Sequence, residues 1–271
     1  MKGIASLNNF GRRPQSHNVR AFKRDAATGE ASPLMTTGGS PAYYLIGPGD
    51  FGIIYNSTPL IQAGYDGTGQ KVAIAGRTNI NLQDVTDFRN LFGLPNTPDN
   101  HTTIILNGPD PGILDGDETE ALLDVEWAGA TAPGASVIFV ATESTLTGDG
   151  IDLSSLYIVE NNLAPEMSVS YGSCEAGLGN AGNLFYQSLW EQAAAQGITV
   201  NVAAGDNGSA ACDDPNTETV AQHGTAVNGI ASTPFNIAVG GTDFNDSSTQ
   251  TTYFNSTNTS GTWTSAKSYN P

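Results

Sequence analysis

Short apolar runs alternating with stretches of helical spacing constrain this chain more than any other feature. Lys71–Gly76 (KVAIAG) is an apolar run ending in glycine and reads as a buried strand. Residues 82–92 follow with Leu82, Val85, Phe88, Leu91 and Phe92 spaced along one helical face. Thr102–Leu106, Ser136–Ala141 and residues 167–170, 198–203 and 235–240 read as further strands. Helices are expected at Asp117–Thr131 and at 181–196, the second stopped by Gly197 as C-cap. Apolar strands separated by helices predict an α/β fold, a doubly wound parallel sheet with helices on both faces. Loops at the carboxyl ends of such strands are where a site is expected.

The chain of 271 residues is long enough for one large domain with a full core. Residues 1–20 form a short basic stretch with Arg12-Arg13-Pro14, and residues 21–42 are rich in Gly, Ser, Pro and Thr without apolar period. That is linker chemistry, exposed and easily cut, so order is expected from about Tyr43. Residues 243–262 turn rich in Asn, Ser and Thr and read as a surface excursion. The 10 basic against 27 acidic residues give a formal charge of −17. Such a surface repels phosphate backbones and anionic lipids, which argues against nucleic-acid and membrane partners. It serves either solubility or work in acid, where carboxylates are neutralised. No run of 18 apolar residues is present to span a bilayer, and no signal peptide is visible after Met1. Cys174 and Cys212 suit one disulfide in an oxidising compartment, or two unpaired core thiols.

Three segments carry candidate chemistry. In Asp117–Thr131, Glu120 and Asp124 are four residues apart and share a helix face, where two like charges repel unless a proton or another group compensates. The ordinary alternative makes Asp117 the helix cap, Glu120 its capping-box partner and Asp124 a solvated carboxylate. In the second segment a strand enters the turn Gly205-Asp206-Asn207-Gly208, whose glycines allow close backbone approach, although the same residues make an ordinary βα turn. In the third, Ser170-Tyr171-Gly172 leaves a strand just before Cys174, while Cys212 follows the Asp206 turn, so both sulfurs flank one cleft if these strand ends do. His223-Gly224-Thr225 has the look of a subtilisin-type catalytic histidine segment, but it follows the Asp206 turn instead of preceding it. Arg77, not an aspartate, also ends the Lys71–Gly76 strand, so no catalytic role is assigned to His223.

Taken in order, these segments resemble the sedolisins, serine-carboxyl peptidases on a subtilisin-like fold. The resemblance begins at Tyr44-Leu45, Pro48-Gly49-Asp50-Phe51 and Ile54-Tyr55-Asn56, and continues through Gly67-Thr68-Gly69-Gln70 and Phe92-Gly93-Leu94-Pro95. Glu120 and Asp124, followed by Ala132-Pro133-Gly134-Ala135, are similar to the family's catalytic pair, and Gly205-Asp206-Asn207-Gly208 to its oxyanion-hole turn. The resemblance implies an activation-propeptide tail at 1–20, a maturation segment at 21–42 and a catalytic domain from 43 to 271, incomplete at its C-terminal end. It implies Glu120 as general base, Asp124 as its orienting partner, Asp206 as oxyanion donor and Ser170, Tyr171 and Gly172 as the strand that pairs with a polypeptide substrate. The family's nucleophile lies in a Ser-Gly-Thr-Ser sequence and its calcium ligands lie later still. Neither is expected within these residues, so no metal ligands are assigned here and the 271 residues alone are expected to be inactive. Ser260-Gly261-Thr262-Trp263 has tryptophan at the nucleophile's place and is not accepted as that site. A secreted, monomeric zymogen of an acid-acting endopeptidase is the resulting expectation, with a non-catalytic peptide-binding module as its rival.

Overall fold

The computed structural model describes residues 13–14, 22–24, 31–33, 46–96, 99–214, 218–242, 250–255, 258–259 and 261–267. Tyr43, Tyr44, Leu45, Ser260 and residues 243–249 and 268–271, all used in the reading above, lie outside them. In chain order the elements are β1 (Arg13–Pro14), β2 (Phe22–Arg24), β3 (Ala31–Pro33), α1 (Pro48–Ile54), α2 (Thr58–Gln62), β4 (Lys71–Gly76), α3 (Leu82–Leu91) and β5 (Thr102–Leu106). There follow α4 (Asp117–Thr131), β6 (Ser136–Ala141), α5 (Gly150–Glu160), β7 (Glu166–Val169), β8 (Tyr171–Gly172), α6 (Glu175–Ala195), β9 (Thr199–Ala203), β10 (Ile237–Val239) and α7 (Gln250–Tyr253).

Six strands form one sheet in the order β10-β9-β7-β4-β6-β5, and every pairing in it is parallel. Side chains alternate between its faces. Ala73, Ala75, Val140, Met167, Val169, Val200 and Val202 face α5 and α6, where Ile158, Tyr186, Leu189 and Trp190 complete a fully buried cluster. Ile74, Val137, Phe139 and Ala141 face Val85 of α3 and Ala121 and Val125 of α4. Arg89 of α3, 1% exposed, fixes these two helices together. Its guanidinium donates to the carbonyls of Pro95, Gly129 and Pro133 at 2.6, 3.2 and 2.7 Å.

β4, β5, β6 and α4 follow the apolar pattern residue for residue, while α3, β7, β9 and β10 are shifted or trimmed by one or two residues at an end. Other elements differ more. Helix α6 begins at Glu175, before residue 181, with a break at Gly179 (φ 62°) that lets one helical turn precede the main run. Helix α5 was not expected. Its buried residues include Ile151, Ser154, Ser155, Ile158 and Val159, so apolar and small side chains surround it and no single stripe marks its period. Within the segment read as linker, β2 and β3 pair antiparallel from Phe22↔Pro33 to Arg24↔Ala31.

Candidate active site

The rim at the carboxyl ends of β4, β7 and β9 gathers the polar residues singled out above. Helix α4 enters this rim from Gly116, whose φ of 87° turns the chain into the first helical residue, Asp117. Asp117 does not cap the helix through its side chain. Its carboxylate accepts from Nε of Arg77, the residue that follows β4, at 3.2 Å to each oxygen. Arg77 Nη1 also reaches Asp149, the N-cap of α5, at 3.1 Å. The capping-box reading of Asp117 is therefore replaced by an ion pair that ties two helix N-termini to the exit of the central strand. Tyr171 of β8 donates its hydroxyl to Asp117 at 2.9 Å. Burial, then the charge of Asp117, push that phenol upward, so it stays a donor.

One helical turn further on, Glu120 is 2% exposed. Asp124 follows on the same face. Its Oδ1 accepts a hydrogen bond of 2.6 Å from the hydroxyl of Ser170, the residue that leaves β7. Burial first, and then the charge of Glu120, push the Asp124 carboxyl up to about 8, against the Ser170 hydrogen bond, which favours its ionised form. Two carboxylates in one partly desolvated place cannot both ionise at low cost, so the pair keeps a proton to higher pH than a free carboxyl would, with Asp124 pushed upward.

Strand β8 continues from Ser170 and pairs antiparallel with β1 (Arg13↔Gly172, Pro14↔Tyr171). The edge of β8 thus receives an extended segment. Beyond β8, Cys174 is bonded to Cys212, with Cα atoms 4.8 Å apart. Closing a loop of this separation, 38 residues, stabilises by roughly 4 kcal/mol in the chain-entropy account. Asp206 follows β9 on an exposed turn, flanked by Gly205 (φ 100°) and Gly208 (φ 54°). It reaches the rim through β9, which neighbours β7 in the sheet.

Two residues that join these parts escaped the sequence reading. Arg77 was noted only as the residue standing where an aspartate was sought. Asn228, 3% exposed, binds both strand ends at once. Its Nδ2 donates to the carbonyls of Ala203 at 2.7 Å and Tyr171 at 3.3 Å, and its Oδ1 accepts from the amides of Ser173 and Ile230. It lies in the segment that begins at His223, which is not helical: Ala226 bridges to Ala210 and Asn228 to Cys174. The His223 ring turns to Asp213, its Nδ1 2.9 Å from Oδ1.

No family model matches the chain. Among curated proteins, it is similar to sedolisin of Pseudomonas sp. (strain 101), with 30% identity over 205 residues, 72% of this chain and 33% of that protein. The chain is a homologue of sedolisin. It spans about a third of the length of this curated relative. A solved structure of Pseudomonas sedolisin, a serine-carboxyl proteinase complexed with two molecules of pseudo-iodotyrostatin, superposes with a TM-score of 0.58 at 24% identity. The match covers 82% of this chain and 61% of that one. The sedolisin homologue therefore has the subtilisin-like fold expected for it, with helices on both faces of a parallel sheet.

Proposed function

We propose that this chain is part of an acid-acting serine-type endopeptidase that cleaves polypeptides through an acyl-enzyme. The observation that carries the reading is the 2.6 Å hydrogen bond from Ser170 to Asp124. It joins a carboxylate pair in a helix to the strand edge on which a peptide would lie.

In this mechanism Glu120 accepts the proton of a serine hydroxyl as that oxygen attacks the scissile carbonyl. Asp124, protonated and held by Ser170, orients Glu120 and limits the charge of the pair. Asp206 donates a hydrogen bond to the tetrahedral oxyanion, which it can do only while protonated. As the intermediate collapses Glu120 gives its proton to the departing amine, and it then takes a proton from the water that attacks the acyl group and returns it to the serine oxygen. A carboxylate base and a carboxylic-acid donor together confine turnover to acid. Tyr171 and Gly172 of β8 would pair with the substrate backbone as an added strand. The pairing of β1 with β8 supports residues 1–20 as a propeptide tail on that same edge, with 21–42 as the maturation segment and 43–271 as catalytic domain. Secretion as a monomeric zymogen belongs to this proposal, and the disulfide supports an oxidising compartment.

The sequence contains no Ser-Gly-Thr-Ser segment. Within the proposal the nucleophile comes from outside residues 1–271. Calcium, implied by the resemblance, would have its ligands there too. Among the described residues the three-donor cluster Asp213, Glu218 and His223 includes an imidazole, which does not suit a cation that takes oxygen ligands, and no step of the mechanism passes through calcium.

A peptide-binding module without catalysis is the second reading, favoured by the strand already paired on β8. Peptide hydrolysis at pH 4 separates the two. The 271-residue chain should be inactive, and the protein translated from the reading frame extended past codon 271 should cleave. In that extended protein Glu120→Gln should abolish turnover, and Asp206→Ala should lower kcat by about 10²–10³. Wild-type rates in both variants, or binding of extended peptides without cleavage by the extended protein, would favour the module.

A further inference from the structure

The loop behind the Asp206 turn holds a group of side chains that the proposed peptidase mechanism does not use. Asp213, Glu218 and His223 each offer one donor atom, and these atoms all lie within 4.8 Å of one another. His223 Nδ1 is 2.9 Å from Asp213 Oδ1 and 3.9 Å from Glu218 Oε2. Two carboxylates thus converge on one ring nitrogen, which can satisfy only one of them. We propose that Asp213, Glu218 and His223 form a binding site for a first-row divalent cation of the zinc type. The proposal is independent of the peptidase reading.

The donor set selects the ion. Imidazole nitrogen with two carboxylates suits zinc and its neighbours, whereas calcium and magnesium take oxygen alone. Tetrahedral bonds of about 2.0–2.2 Å put neighbouring ligand atoms roughly 3.3–3.6 Å apart. His223 would ease back from Asp213 and Glu218 would draw in towards the ring, each by a few tenths of an ångström, while the two carboxylates, within 4.8 Å of each other, close on the ion.

Both carboxylates are aimed before any ion arrives. Asp213 Oδ1 accepts from the amides of Gln222 at 2.6 Å and His223 at 3.1 Å, and Glu218 Oε2 accepts from the amide of Asp214 at 2.8 Å. Such supporting hydrogen bonds are the outer shell that orients ligands at metal centres. Asp213 is 6% exposed and His223 55%, so the site is rooted in the fold and open on one side, where water can complete the coordination. Asn207 Nδ2 donates to the Asp213 carbonyl at 2.8 Å, and Cys212 next to it carries the disulfide. A bound ion would therefore brace Asp213, Glu218 and His223 directly against the turn that carries Asp206.

The test is zinc titration of the 271-residue chain, freed of metal with a chelator, in competition with a chromophoric zinc chelator. A cobalt titration read by visible absorption reports the ligand field. One equivalent of zinc should bind, and His223→Ala and Glu218→Gln should each weaken it by at least about tenfold. Both positions are more exposed than Asp213, and circular dichroism checks that these variants fold. Binding should persist in Glu120→Gln/Asp124→Asn. No stoichiometric uptake, unchanged affinity in folded His223→Ala, or loss of binding only in the Glu120/Asp124 variant would overturn the site, leaving His223 and Asp213 as a hydrogen-bonded pair.

Discussion

The two faces of the central sheet are built on opposite terms. On the side of α5 and α6, side chains from β4, β6, β7 and β9 meet helix residues such as Ile158, Leu189 and Trp190, all at 2% exposure or less. On the side of α3 and α4 the cover reaches only β4, β6 and β5. Over the rest of that face Val72, Ser168, Ser170, Asn201, Ala203 and Val239 line a groove of about 380 Å³, and Ile237 and Val239 are half exposed. That half is only partly covered: Ser168, Ser170, Asn201 and Ala203 are half-buried. The same strands therefore present a dry core on one side and polar chemistry on the other. Ser170, at the groove's rim, is the residue bonded to Asp124. One face supplies stability, and the other holds buried carboxylates at a cost in stability.

The contrast breaks first at Trp190. Trp190→Ala removes a fully buried ring and the hydrogen bond from its Nε1 to Ile230 at 3.0 Å. It should cost about 3–5 kcal/mol, read from urea unfolding. A loss below about 1 kcal/mol would mean the dry face is not the main source of stability.

Asp124→Asn probes the other face through pH. Asp124 is raised from 3.8 to about 8 in the fold, so the folded chain holds this proton more tightly than the unfolded chain does. Its contribution is present in acid and is lost as pH climbs from about 4 towards 8, at up to ~1.4 kcal/mol per pH unit. The asparagine variant should flatten that decline in unfolding curves taken between pH 4 and 8. Glu126 on the same helix, also pushed up to about 8 by burial and then by Asp84, should show a separate decline of the same sign, removed by Glu126→Gln. A wild-type chain whose stability rises across this range would contradict both.

Ser170→Ala is a smaller change. It deletes the hydroxyl that favours ionised Asp124, so the Asp124 titration followed by carboxyl NMR should move further up, with about 1–2 kcal/mol lost above pH 8. A titration that stays in place would disconnect the strand from the carboxylate pair.

The smallest expected effect compares neighbouring strands. Ile237→Ser on the groove side should lie within about 0.5 kcal/mol of wild type. Val202→Thr, in β9 on the dry face, should cost about 1–3 kcal/mol for an unsatisfied hydroxyl. Equal costs would show that the groove face is covered after all.

Local pattern decided much of this molecule. Lys71–Gly76, Thr102–Leu106, Ser136–Ala141 and Asp117–Thr131 were legible because burial on both sheet faces forces continuous apolar runs, and one-sided burial forces helical spacing. Glu120 and Asp124 could be placed on one helix face by the same period. The cysteine pair was one of two open readings, and the fold chose the bonded one by bringing Cys174 and Cys212 to a Cα separation of 4.8 Å. Helix α5 stayed hidden because burial on several sides erases the stripe that periodicity detects.

What the sequence determined by itself is therefore the strands of the central sheet, helices α3 and α4 and most of α6, and the residues carried at their ends. Only the tertiary structure decided which ends meet: Arg77 with Asp117 and Asp149, Ser170 with Asp124, Asn228 between Ala203 and Tyr171, and His223 with Asp213. The physical reason is distance along the chain. Periodicity reports on neighbours a few residues apart, whereas these hydrogen bonds join residues 10 to 72 positions apart, and sheet order alone brings most of them together.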